Sequence, residues 1–238
     1  MINLHSRTGT YHQAAGGENQ DALCSARSRT VRVISLADGV SSCAEAKTGA
    51  EIASRAVTDL FSKRGERLLS YEPEQISAFT LSHILYELNA RAKRDNRPVE
   101  DYSSTVASVL ADRKTNQLLC VNLGDGIILA TGNGTCQVLS MPGDSRNGCC
   151  VTTTEGAERR LSVRILDALP FDSVLICSDG AWRQMFEKNK LKPEISALLI
   201  EQRYEELETY LNEANGSDDC SFIAMELRKP AAGRRKAS

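Results

Sequence analysis

Apolar residues recur along this chain in two rhythms. Across 44–64, Ala46, Ala50, Ala53, Val57 and Leu60 return at steps of three and four, one side of an amphipathic α-helix. Ile76, Phe79, Ile84, Leu85, Leu88 and Ala92 repeat that spacing over 73–95, and the turn-rich Asn96-Arg97-Pro98 ends it. Elsewhere the apolar runs are short and bounded by turn residues, as in strands. Residues 20–38 read as two strands joined through Arg27-Ser28-Arg29. Four more lie at 105–110, 118–123, 127–130 and 136–139, separated by Lys114-Thr115-Asn116, Gly124-Asp125-Gly126 and Gly132-Asn133-Gly134. Connections this short predict antiparallel pairing of neighbours in a meander, because parallel strands need longer crossovers.

Strand character returns at 162–168 and 173–177, helical character from 181 to 215 with a break at Lys192-Pro193, and a last strand at 220–227. Strand runs with grouped helices predict an α+β fold, helices packed on antiparallel sheets. With 238 residues the chain can bury a sizeable core, and we expect one domain over 1–227. Residues 140–160 read as a polar, glycine-containing excursion. The basic tail 228–238, poor in apolar residues, is expected to be disordered, more a solubilising terminus than a binder of acidic partners.

A net charge of -2 gives no electrostatic reason to expect nucleic acid or an anionic membrane as partner. No apolar run nears the roughly 20 residues of a membrane span, and 1–7 lacks the apolar core of a signal peptide. The eight cysteines form no CxxC pair and no zinc spacing; Cys120 and Cys177 sit inside apolar runs as small hydrophobes. Cys149-Cys150 is expected to be buried or packed on an edge strand. Free thiols point to a reducing cytoplasm.

Acidic residues stand where apolar runs stop: Asn19-Gln20-Asp21, Ala37-Asp38-Gly39, Gly124-Asp125-Gly126, Ser178-Asp179-Gly180 and Asp218-Asp219. Any one Asp-Gly is an ordinary turn dipeptide; the ordered set carries the argument. If Asp21, Asp38, Asp179 and Asp218 converge, each pair at 4 Å repels by about 4 kcal/mol at an effective dielectric near 20. Two divalent cations would offset four carboxylates. Oxygen ligands without a motif histidine favour Mg²⁺ or Mn²⁺ over Zn²⁺. Such a pair can activate a bridging water and hold phosphoryl oxygens, which makes phosphate ester hydrolysis the natural chemistry.

In order and context these motifs resemble the metal-dependent serine/threonine protein phosphatases of type 2C. The matching pieces are Glu18-Asn19-Gln20-Asp21-Ala22, Leu36-Ala37-Asp38-Gly39-Val40-Ser41-Ser42 leading to a helix, and Ser103-Ser104-Thr105-Val106-Ala107. They continue through Asn122-Leu123-Gly124-Asp125-Gly126, Ile176-Cys177-Ser178-Asp179-Gly180-Ala181-Trp182 and Asp218-Asp219-Cys220-Ser221-Phe222-Ile223. The resemblance implies an α-β-β-α sandwich, two antiparallel sheets face to face with helix pairs outside. It implies a cytoplasmic signalling enzyme, a monomer, that hydrolyses phosphoserine and phosphothreonine in proteins through water held by two Mg²⁺ or Mn²⁺ ions, with a third an option.

By the same resemblance Asp38 bridges both ions, the Gly39 carbonyl assists, Asp179 and Asp218 hold one ion, and Asp21 is a second-ion or water-mediated ligand. Asp219 is the neighbouring position and Asp125 is more a turn residue than a site residue. Where many members carry a phosphate-gripping arginine this chain has Gly16, so His12 or Arg7 is the candidate substitute. Val40 stands where some members have a proposed general-acid histidine, Gln20 where an acidic residue is usual, and Ser41-Ser42 replace a glycine-rich turn. The excursion 140–160 matches a variable flap. Arg146, Arg159 and Arg160 in it are candidate phosphopeptide contacts, against the plainer reading as a solvated loop. Trp182 is expected to pack at a helix start. The alternative reading is a non-catalytic binding or regulatory module on the same fold.

Overall fold

The computed structural model describes residues 1–142 and 149–228. One antiparallel sheet runs β2 (Asp21–Arg27), β3 (Val31–Asp38), β4 (Val106–Asp112), β5 (Gln117–Leu123), β8 (Ser162–Asp167). The other runs β1 (Ile2–Arg7), β12 (Cys220–Glu226), β9 (Ser173–Cys177), β6 (Ile127–Gly132), β7 (Thr135–Ser140). Helices α2 (Ala46–Leu68) and α3 (Pro73–Asp95) cover the first sheet. Helices α4 (Asp179–Met185), α5 (Pro193–Ile200) and α6 (Tyr204–Ala214) cover the second.

Strand periodicity explains the layering. In β4, Val106 and Leu110 point into the core beneath α2 and α3, whereas Ala107, Val109 and Ala111 meet the opposite sheet. In β9, Val174 and Ile176 enter the inter-sheet core, and Leu175 and Cys177 face α4 to α6. Strands buried on both faces read as unbroken apolar runs. Three apolar layers result, giving the α-β-β-α sandwich that the sequence led us to expect.

Helix α3 starts on a capping box between Glu72 and Gln75, with Pro73 in its first turn, and stops at Asn96 with φ 53°. Helix α2 lies close to the sheet because its inner face is small: Ala46, Ala50, Ala53 and Gly49. A Cβ on Gly49 would collide with the Tyr102 carbonyl. Buried hydroxyls fix the helix laterally: Thr58 donates to Ser35 Oγ at 2.7 Å, and Ser35 and Ser108 share a hydrogen bond of 2.8 Å.

The meander is where the fold departs from expectation. β4 pairs with β5 and β6 with β7, but β5 does not pair with β6; the chain crosses between sheets at Gly124-Asp125-Gly126. Both flanking runs are apolar on both faces, so their pattern does not separate a hairpin from a sheet switch. Gly124 holds φ +106° against Thr105, and buried Asn122 pins the crossing by donating to Gly126 O at 2.9 Å.

Strand β1 and helix α1 (Thr10–Ala14) are elements the apolar pattern did not announce. In β1, Leu4 is 59% exposed while His5 is 6%, an inverted pattern at a sheet edge. The helical stretch is interrupted just before Lys192-Pro193 by a minimal hairpin, β10 (Phe186–Glu187) with β11 (Lys190–Leu191), and Pro193 opens α5. All eight cysteines are free, with Cys120, Cys177 and Cys220 buried. Cys149-Cys150 is neither buried as a pair nor on a strand: Cys149 is exposed in coil and only Cys150 packs against the α2–α3 core. Among the described residues, no helix is long and apolar enough to cross a membrane. The expectation of a disordered tail falls on 229–238, outside the described residues.

Candidate active site

Each acidic residue owes its place to a strand or helix end. Asp21 opens β2 and Asp38 closes β3, so the antiparallel register sets them opposite one another. The Asp38 turn is held from two sides: its N–H donates to Thr105 Oγ1 at 3.0 Å and its carbonyl accepts from Thr105 N at 2.8 Å. Gly39 then sits against the first turn of α2, so close that a Cβ would strike Ala46. Asp179 opens α4 directly after β9, and Asp218-Asp219 lead into β12, which pairs with β9.

These ends converge on a cleft of about 190 Å³ lined by Asp38, Gly39, Asp125, Asp179, Asp218 and Asp219, together with His12, Thr105 and Cys149. Asp21 is not a lining residue. It is 2% exposed, and neither carboxylate oxygen has a hydrogen-bond partner. Burial, followed by the charges of Asp219 and Asp179, pushes it up to about 7. The Ser221 and Ser178 hydroxyls soften that rise, though both hydroxyls are engaged elsewhere. Asp38 is held well above the usual carboxylate range by burial and then by Asp21, Asp179 and Asp125. Asp179 reaches about 6, through burial and Asp125, with Arg183 pulling it down.

Crowded carboxylates of this kind keep protons or take cations. An oxygen-only set with two orphaned, buried oxygens on Asp21 fits hard divalent ions. The cage is not drawn closed: among the described residues no three acidic, histidine or cysteine side chains form a ready-made metal group. Instead the Arg183 guanidinium spans two of the acids, Nη1 lying 2.8 Å from Asp179 Oδ2 and 3.7 Å from Asp218 Oδ2.

Asp219, which the sequence marked only as a neighbour, is the buried hub. It accepts hydrogen bonds from Gly9 N at 2.8 Å and Gln20 N at 2.6 Å, and His12 Nδ1 lies 2.9 Å from its Oδ2. Gly9 is required there, since a Cβ would collide with the Asp218 backbone. The Asp219 contact assigns the proton to Nδ1 and leaves Nε2 of His12 without a hydrogen bond among the described residues.

Of the candidate phosphate contacts, His12 lines the cleft. Arg7 does not; its guanidinium turns to Asn215 Oδ1 at 3.2 Å, because α6 ends beside β1. Arg146 falls outside the described residues. Arg159 is exposed and paired with Glu158, and neither it nor Arg160 lines the cleft. Asp125 both lines the cleft and, through its carbonyl, accepts a 2.7 Å hydrogen bond from Trp182 Nε1, which fixes the start of α4. The sequence left Asp219, Arg183 and Cys149 out of the site. Asp219 carried only its membership of the Asp218-Asp219 pair, Arg183 its i,i+4 spacing from Asp179, and Cys149 no signal.

No curated protein sequence matches this chain. Among solved structures it is similar to a bacterial serine phosphatase, with TM-score 0.65, 19% identity, and 95% of this chain and 97% of that one covered. It is similar also to the serine/threonine phosphatase Stp1 from Staphylococcus aureus, with TM-score 0.66, 18% identity and coverages of 96% and 95%. A serine/threonine phosphatase from S. agalactiae gives TM-score 0.67, 14% identity and coverages of 94% and 98%. These likenesses establish the fold. The protein phosphatase 2C profile matches residues 8–214, most of the chain. The chain therefore belongs to the protein phosphatase 2C family of serine/threonine protein phosphatases.

Proposed function

We propose that this chain is a divalent-cation-dependent phosphatase of phosphoserine and phosphothreonine in proteins, working in the cytoplasm as a monomer, with its catalytic domain over 1–227. The observation that carries the reading is the convergence of Asp38, Asp179 and Asp218, from three distant segments, on one cleft beside His12. Asp38, the Gly39 carbonyl, Asp179 and Asp218 would hold two Mg²⁺ or Mn²⁺ ions, with Asp21 behind them. When bound, such ions supply Lewis-acid polarisation of a phosphoryl oxygen and a more acidic water.

The protein's own groups do the rest. Thr105 and the tight Asp38-Gly39 turn orient the central carboxylate, and Asp219 orients His12. In its doubly protonated form His12, held through Nδ1–H on Asp219, can give its Nε2 proton to the serine or threonine oxygen as it leaves and return to the Nδ1–H tautomer, the task for which Val40 offers nothing. Arg183 must release Asp179 and Asp218 for them to serve as ligands.

The reading is tested by hydrolysis of a phosphothreonine peptide with Mn²⁺, with and without Asp38→Asn. We expect Mn²⁺-dependent turnover that falls at least about 100-fold in the variant. Turnover in chelator, or an unimpaired variant, would refute it. His12→Gln separates the proton role: it should slow the phosphothreonine peptide about 100-fold and p-nitrophenyl phosphate far less, because nitrophenolate leaves without a proton. Equal losses on both substrates would remove His12 from proton transfer.

A further inference from the structure

A larger cavity, about 490 Å³, opens on the outer face of the α2–α3 hairpin, away from the acidic cleft. Its floor is Leu60 and Leu68; its walls are Arg64, Arg67, Tyr71, Phe79, His83 and Tyr86. Phe79 is 52% exposed and Tyr86 70%, large apolar groups that the core does not use. Tyr71 and Phe79 stack with centroids 5.5 Å apart, and the Arg67 guanidinium lies 5.7 Å over the Tyr71 ring. Arg64 and Arg67 are both exposed, and among the described residues neither has a carboxylate partner.

We infer that this groove is a docking site for a partner protein's acidic segment bearing an aromatic or aliphatic side chain. The chemistry is two-part. Exposed rings over a leucine floor offer a place for an apolar side chain, and aromatic and arginine side chains are what well-packed interface centres favour. The unpaired guanidiniums on the wall select for carboxylates beside that side chain, and steer their approach. The cavity falls within the roughly 300–1,000 Å³ typical of ligand sites. Its exposed walls leave it open to a passing polypeptide.

Placement gives the site a use. Helix α2 starts against Gly39, where Lys47 Nζ donates to Asp21 O at 2.8 Å, and the groove lies near its other end. At 1.5 Å per residue the two are roughly 25–30 Å apart. The groove and the cleft share no lining residue, so one partner can be held without obstructing the other site. The inference stands on the groove alone and holds whether or not the cleft turns over substrate.

The test is fluorescence anisotropy with a short fluorescein-labelled peptide of Asp, Glu, Phe and Leu. Two controls accompany it, one with Lys for the acids and one with Ser for Phe and Leu. We expect the acidic-apolar peptide to bind, to weaken as NaCl rises, and to bind at least about tenfold better than either control. The double variant Arg64→Glu, Arg67→Glu, and separately Phe79→Ser, should each lower that affinity at least about tenfold while keeping the wild-type unfolding midpoint. No binding at millimolar protein, equal binding of the controls, or unchanged binding in folded variants would overturn the inference. So would a concentration-dependent dimer that Tyr86→Ala abolishes, since the groove would then belong to a second copy of this chain.

Discussion

Arg183 lies across Asp179 and Asp218 much as a cation would, and so it competes with one. Arg183 is half-exposed, and solvent screening of it limits the contact's worth to about 0.2–1 kcal/mol. Arg183→Ala should therefore tighten Mn²⁺ binding by about two- to fivefold in calorimetry. Unchanged or weaker binding would show that the guanidinium does not obstruct the ions. Some of the site's residues were legible in the sequence because their roles are local. Asp38 and Asp179 each precede a glycine at the end of an apolar run, which is a physical reason to be at a rim. The pair Asp218-Asp219 was not separable that way. Which carboxylate is buried under Gly9, Gln20 and His12 depends on segments some 200 residues distant. Arg183 stood at helical ion-pair spacing from Asp179, but no spacing says that it also reaches Asp218.

At the scale of elements, α2 is the component on which the cleft leans, and its close approach to the Tyr102 backbone rests on one missing side chain. Gly49→Ala should push the helix off the Tyr102 backbone and cost about 1–3 kcal/mol, a fall in unfolding midpoint of roughly 2–10 °C. An unaltered midpoint would mean that the helix has slack there. Both long helices could be read from the chain because a 3.6-residue rhythm persists for 23 residues in each. The strand crossing at Gly124 could not, since β5 and β6 are buried on both faces and carry no alternation to say which sheet owns them. Strand β1 hid for the opposite reason. Its edge position exposes Leu4 and buries His5 next to Phe222 and Glu208.

For the whole molecule, the acid cluster should make stability depend on pH, and on divalent metal if the proposed ions bind there. Asp21, Asp38 and Asp179 all have folded-state affinities for protons above those of unfolded aspartate. Between about pH 4 and 7 the folded state thus holds more protons than the unfolded one, and stability falls as pH rises through that window. In chelator, the unfolding midpoint should drop by roughly 5–10 °C from pH 5 to pH 7.5. Millimolar Mn²⁺ should remove most of that drop, because a ligand bound only by the folded state stabilises it. A chelated protein no less stable at pH 7.5 than at pH 5 would contradict the clustering. The pairing of β1 with β12 bears on how such a molecule comes into being. His12 and Gly9 wait on Asp219, so a ribosome-bound chain that has not yet extruded Glu226 carries a half-built, inert cleft. Competence to remove phosphate would then arrive late, with the closing of the long loop between β1 and β12.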